Sequence, residues 1–198
     1  MLGDLALRRV LLSAICALTL ASHAGAESDL ARTLTPTDLR RLAQFQVARE
    51  DAIKDARENG ESADVKVLDE ILSGVEMPVR GVDIRGDYRC RMAKLGRLAH
   101  VVIYNWFRCR IDEDDVGYRL EKLTGSQRLS GHFIEDNETA LIFYGADHYA
   151  DENPLAYNAN PERNNVGRLV KVGDKRYRLE FPLPFLESNF DILEIAER

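Results

Sequence analysis

Apolar positions along the chain change their spacing twice. Residues 10–21 form one apolar run behind Arg8 and Arg9, residues 35–74 carry a period near that of a helix, and from Val79 onward the period is two. The middle stretch predicts a helical hairpin. Thr35 before Pro36 is an N-cap followed by a proline at the first helical position, with Asp38 in the first turn to favour the dipole. Leu39, Leu42, Ala43, Val47, Ile53 and Ala56 fall along one stripe, while Arg40, Arg41, Arg49, Glu50, Lys54 and Asp55 lie away from it. Asn59-Gly60 stops this helix. A second helix, from about Ser62, carries Val65, Leu68, Ile71 and Leu72 and ends at Gly74. Such a hairpin cannot bury its apolar faces alone, so it must dock on the rest of the chain.

Pro78 marks the second change. Val82 and Ile84 alternate with Gly81 and Asp83, and Tyr88, Cys90 and Met92 alternate with Arg89, Arg91 and Ala93. Val101, Ile103, Phe107, Cys109 and Ile111 share one face of a longer run, opposite Val102, Tyr104, Trp106, Arg108 and Arg110. Further strands are expected at 118–123, 127–134, 139–146, 166–172, 176–181 and 189–195, with Gly173-Asp174 as a hairpin turn. So many short strands without intervening helices predict an α+β, mainly β fold. It would be an antiparallel barrel or half-barrel of about eight strands over residues 79–198, since closure removes exposed edges. Residues 27–78 would be the hairpin docked on it. The expected inward set is Tyr88, Phe107, Tyr118, Phe133, Phe143, Tyr177, Phe181 and Phe190. Rings of that bulk fill a small barrel and leave at most a pocket at one mouth.

The N-terminal run changes the chemistry expected of the rest. Two arginines, an apolar core too short to span a bilayer, which needs about 20 residues, and Ala24-Gly25-Ala26 read as a signal peptide over residues 1–26. Cleavage near Ala26 would release a periplasmic or secreted protein with no transmembrane segment in the mature chain. In that setting Cys90 and Cys109, with eighteen residues between them, are expected to form a disulfide that stabilises by about 3 kcal/mol. Buried free thiols are the alternative. Two thiols at this spacing are too few for a metal site, and no metal or cofactor is expected. The formal net charge of −6 argues against nucleic acid as a partner.

Three features could carry chemistry. If Cys90 lies opposite Cys109 in a hairpin, Arg89 faces Arg110 and Arg91 faces Arg108, and like charges across a strand pair need compensation. Acidic neighbours such as Glu121 and Glu180 could supply it, or an anionic ligand held by paired guanidinium groups. The segment 147–165 contains Asp147, His148, Tyr149, Asp151, Glu152 and Tyr157 without periodicity, and reads as a long polar loop, a lid or a binding loop. Its oxygen-rich side chains could ligate calcium, although their spacing matches no EF-hand. Ser126, Ser130 and His132 place hydroxyls near an imidazole, but no nucleophile elbow surrounds them. Asp112-Glu113-Asp114-Asp115 reads as a solvated turn.

Gly86-Asp87-Tyr88-Arg89-Cys90-Arg91, Asn105-Trp106-Phe107-Arg108-Cys109, Leu123-Thr124-Gly125-Ser126-Gln127-Arg128 with Gly131, and the ending Glu180-Phe181-Pro182 to Phe190-Asp191-Ile192-Leu193 together resemble an exported bacterial family, the domain of unknown function 4893 family. The resemblance implies that the cysteines, Tyr88, Trp106 and the Gly-Ser-Gln-Arg turn belong to one framework, and it implies no activity. A looser likeness, confined to the Tyr88-x-Cys90 strand, is to small periplasmic barrels that inhibit lysozyme. The leading expectation is a non-catalytic envelope binding module for an anionic envelope polymer or another envelope protein. An envelope hydrolase with a lid at 147–165 and His132 or His148 as base is the alternative, and a structural accessory subunit is the third.

Overall fold

A computed structural model describes residues 29–198; the signal-peptide expectation for residues 1–26 lies outside them. A helical turn over residues 29–33 leads into α1 (Pro36–Ala43), α2 (Phe45–Asn59) and α3 (Ser62–Leu72). The first expected helix is therefore two. Thr35 caps α1 through its hydroxyl, which accepts from the Asp38 amide at 3.2 Å. The chain then breaks at Gln44, whose amide is shared between the carbonyls of Arg40 and Arg41. This break lets the two segments present different faces. α1 turns Asp38 and Arg41 inward, whereas α2 buries Phe45, Ala52, Ile53 and Ala56 and leaves Val47 65% exposed. The single apolar stripe drawn through Val47 misses this, because the charged pair on α1 is buried.

Nine antiparallel strands follow: β1 (Gly86–Gly96), β2 (Ala99–Ile103), β3 (Phe107–Asp114), β4 (Gly117–Lys122), β5 (Gln127–Asn137), β6 (Ala140–Tyr149), β7 (Asn164–Gly173), β8 (Arg176–Pro182) and β9 (Phe190–Glu197). Their order is β2-β1-β3-β4-β5-β6-β7-β8-β9, and β9 pairs back onto β1. Eight strands thus close a barrel and β2 is an extra strand. The long run from Val101 to Ile111 is interrupted at residues 104–106, and the break exchanges its faces. Phe107, Cys109 and Ile111 belong to the barrel interior, whereas Val101 and Ile103 pack in the cluster under the helices. Val82 and Ile84 form no strand. Residues 79–84 instead bring Val79 and Ile84 into the barrel core, and the Tyr88 hydroxyl donates to the Ile84 carbonyl at 2.8 Å.

That end of the barrel is solid. Tyr88 and Tyr177 meet edge to face, as do Phe133 with Phe143 and Phe143 with Phe181. Gly131 and Gly145 face each other across β5 and β6, and a Cβ on either would stand 2.6 or 2.7 Å from the Phe143 ring. Phe190 is a correction to the expected inward set. It lies outside the barrel against Phe45 of α2, ring centroids 5.6 Å apart.

The helices cover the outer faces of β8 and β9, whose buried polar side chains tie them down. Arg176 and Arg178 donate to the carbonyls of Glu70, Ile71 and Leu72 at the end of α3, where cations complement the helix dipole. Glu180 pairs with Arg49 of α2 and with Arg178. Among the described residues, no helix is long and apolar enough to cross a membrane.

Candidate functional site

The expected arginine face is rearranged by the strand register. Cys90 and Cys109 are disulfide-bonded, but Cys109 stands opposite Tyr88 and Cys90 opposite Phe107, so the bridge runs diagonally. This two-residue offset pairs Arg110 with Asp87, to which it donates at 2.9 Å, and sets Arg89 across from Arg108. Arg91 lies opposite Glu194 of β9 and donates to it at 2.6 Å. Arg89 and Arg91 also lie over the Trp106 ring, 4.4 and 4.6 Å from its centroid. For Arg110 and Arg91 the compensation is therefore internal, through Asp87 and Glu194, whereas Arg89 and Arg108 face each other with no ion pair among the described residues. Glu121 is held by Arg119 and Glu180 by Arg49 and Arg178.

The polar segment is shorter than expected and anchored. Asp147, His148 and Tyr149 complete β6, and Asn164 and Asn165 open β7, leaving only residues 150–163 as a connection. Tyr157 fastens it. Its hydroxyl donates to Asp38 at 2.6 Å and accepts from the Thr35 amide at 3.0 Å. Asp38 is fully buried and also receives Arg41 and Asn164 at 2.9 Å each; these bonds keep its carboxyl ionised below the ordinary value although burial works the other way. Tyr149 packs under the Arg163 guanidinium, which also binds Glu152. Asp151 is exposed.

No hydroxyl–imidazole pair forms among the described residues. His132 Nε2 lies 2.9 Å from Asp114 Oδ2 on the outer wall, and Ser130 forms no hydrogen bond with it among the described residues. His148 points outward from β6 and is buried, with Nδ1 lacking a partner among the described residues; burial and Arg128 keep its pKa below the ordinary value. His100 pairs with Asp55 on the surface.

What the strands do assemble is the open end of the barrel. Beyond the Phe143 and Phe181 rings, the inward positions turn from apolar to charged: Lys94 on β1, Lys122 on β4, Asp147 on β6 and Asp191 on β9. They line a cavity of about 230 Å³ whose apolar walls include Met92, Phe107, Leu129 and Phe181. Lys94 stands opposite Asp191 in the β1–β9 register and donates to Glu187 at 2.7 Å. Burial opposes its charge, yet Asp191 and Glu187 outweigh burial and hold the ammonium above the ordinary lysine value. Asp191 is 7% exposed and accepts from the Ser188 hydroxyl at 2.5 Å. Burial pushes its carboxyl up to about 7, with Lys94 and Ser188 pulling the other way. Asp147 is raised too, chiefly by burial, against the Asn165 amide and the neighbouring cations.

Lys122 is the unbalanced member. Its ammonium donates to the backbone carbonyls of Thr124 at 3.1 Å and Gln127 at 2.5 Å and lies 3.9 Å from the Phe107 ring centroid, with no carboxylate at ion-pair distance among the described residues. Burial, with Arg128 and Lys94 nearby, brings its pKa down to about 8 although Asp147 acts to raise it. The Leu123–Arg128 turn creates this seat. Gly125 has φ +94°, and a Cβ there would stand 2.8 Å from Lys122 Nζ and 2.9 Å from the Phe107 ring. Of this group sequence reasoning singled out only Asp147, as part of a loop, although parity alone carries Tyr118 and Leu120 on to Lys122, and Phe143 on to Asp147.

A family model described as "Domain of unknown function (DUF4893)" matches residues 31–195. No curated protein and no solved structure matches the chain.

Proposed function

The chain belongs to the DUF4893 family, and from that premise and its own side chains we propose that it is a non-catalytic binding module of the cell envelope that takes an anionic group of its ligand into the barrel mouth. One observation carries the reading. Lys122 is a 6% exposed cation facing a cavity, held by two neutral carbonyls and a ring instead of a carboxylate. A buried charge without a counter-ion is costly, and an incoming anion removes that cost. Arg128 stands at the rim and adds to the attraction. The envelope placement rests on the N-terminal signal pattern and agrees with the Cys90–Cys109 disulfide. The ligand would be an anionic envelope polymer or an acidic segment of another envelope protein. The arginine face contributes less, because Arg91 and Arg110 are already paired.

The test is retention of the purified mature protein on peptidoglycan, lipopolysaccharide and plain anionic matrices over a salt gradient. Lys122→Met is expected to abolish retention without lowering the urea midpoint, since it removes a buried charge and keeps the volume. Joint replacement of Arg89 and Arg108 by glutamine is expected to weaken retention far less. Equal retention of the Lys122 variant, or failure of the native protein to bind at any salt, defeats the reading.

A further inference from the structure

Resting on the mouth as the ligand site, we propose that the bound group is a carboxylate carrying a short apolar body, and that it enters together with a proton held by the Asp147–Asp191 pair. The charge balance of the cavity requires the second half. Lys94 on β1, Lys122 on β4, Asp147 on β6, Asp191 on β9 and Glu187 on the β8–β9 connection face the same space, with Arg128 of β5 reaching the rim. Setting that rim group aside, ionisation of all three acids leaves the two ammonium groups one charge short, and the cavity repels an anion. With Asp147 and Asp191 protonated, Glu187 offsets only one ammonium, and a single monoanion neutralises the remainder. Burial favours that protonated state for both acids.

The wall chemistry sets the ligand class. A carboxylate accepts from an ammonium and from neutral acid O–H groups at once, which matches Lys122 beside two protonated acids. Phosphate as the dianion carries more charge than one uncompensated cation can offset, and in either charge state it brings no apolar body. Met92, Phe107, Leu129 and Phe181 offer apolar surface where phosphate would have nothing to place and a short hydrocarbon or ring would.

Titration calorimetry with sodium benzoate tests this, with benzamide and inorganic phosphate as comparison probes. Binding is expected to be about twentyfold weaker at pH 8 than at pH 6: about tenfold from one linked proton on Asp191, whose pKa lies near 7, and about twofold from Lys122, which loses half its charge near pH 8. The apparent heat at pH 7 is expected to differ between two buffers of unlike ionisation enthalpy, which reports the proton taken up. Asp191→Asn is expected to cut the pH dependence to the roughly twofold change left by Lys122, whatever its affinity. Benzamide is expected to bind at least tenfold more weakly at pH 6. Benzoate bound equally at both pH values with buffer-independent heat overturns the proton coupling and leaves the mouth standing as a site. Phosphate bound more tightly than benzoate overturns the ligand class. If none of the probes binds and anionic matrices also fail to retain the protein, the mouth itself is the wrong site.

Discussion

The two ends of the barrel are built by the same eight strands under the same alternation, yet one is solid and the other is open and charged. At the solid end, inward positions carry Tyr88, Tyr177, Phe133, Phe143, Leu169 and Leu179, and residues 79–84 close it with Val79 and Ile84. At the mouth the same inward parity delivers Lys94, Lys122, Asp147 and Asp191. The solid end gains free energy from apolar burial; the mouth gives some of it up, because buried ions are poorly repaid by their neighbours. Inward charges in a closed barrel are a local departure from what folding alone favours, and such departures concentrate where a protein meets its ligand. The disulfide lies between the two regimes, with Cys90 two residues before Met92 and Cys109 two after Phe107.

This contrast can be broken first at the solid end. Phe143→Ala empties a fully buried ring site and is expected to cost about 4 kcal/mol of unfolding free energy by urea denaturation, while mouth binding survives below the midpoint. Loss of binding in the folded variant would show that the two ends are not independent. Replacing Cys90 and Cys109 together by alanine is expected to cost about 3 kcal/mol, and dithiothreitol should lower the native protein's midpoint by a matching amount.

A smaller effect belongs to the mouth and has the opposite sign. Asp191 carries a proton when folded up to about pH 7, whereas its ordinary value is 3.8. The folded chain therefore binds more protons than the unfolded one across that window, and stability contributed by this group falls as pH rises through it and levels off above about 7. Asp191→Asn is expected to match the native protein at pH 4 and to exceed it at pH 8 by on the order of 2 kcal/mol, read from urea midpoints at the two pH values. A midpoint lowered at pH 8 would mean that the ionised carboxylate stabilises the fold. The smallest effect is on the outer wall. Arg110→Ala removes an exposed pair with Asp87 and is expected to leave both midpoint and retention within measurement error.

Much of the barrel was legible in residue spacing. Alternation at Tyr88–Met92, Phe107–Ile111 and Arg176–Phe181 marks strands, and the Thr35-Pro36 start marks α1, because these signals are local. Phe190 was misread for a reason that explains the missed site. An apolar residue beneath a docked helix is as buried as one inside a barrel, so hydrophobicity cannot say which side it faces; assigning Phe190 inward sends Asp191 outward. Lys122 and Asp147 were readable by extending parity past the last apolar residue. Asp147, His148 and Tyr149 looked like loop because their polarity hid the strand.

The sequence by itself determined the antiparallel strands, the helices that must cover them, and the cysteine pair. Those follow from backbone periodicity and capping, which act over a few residues. Only the tertiary structure decided the two-residue offset between β1 and β3, the side of β9 that faces in, and the meeting of Lys94, Lys122, Asp147 and Asp191 at one mouth. Register and barrel closure depend on contacts between residues up to about a hundred positions apart, and a shift of one residue would turn every one of those side chains to the other face.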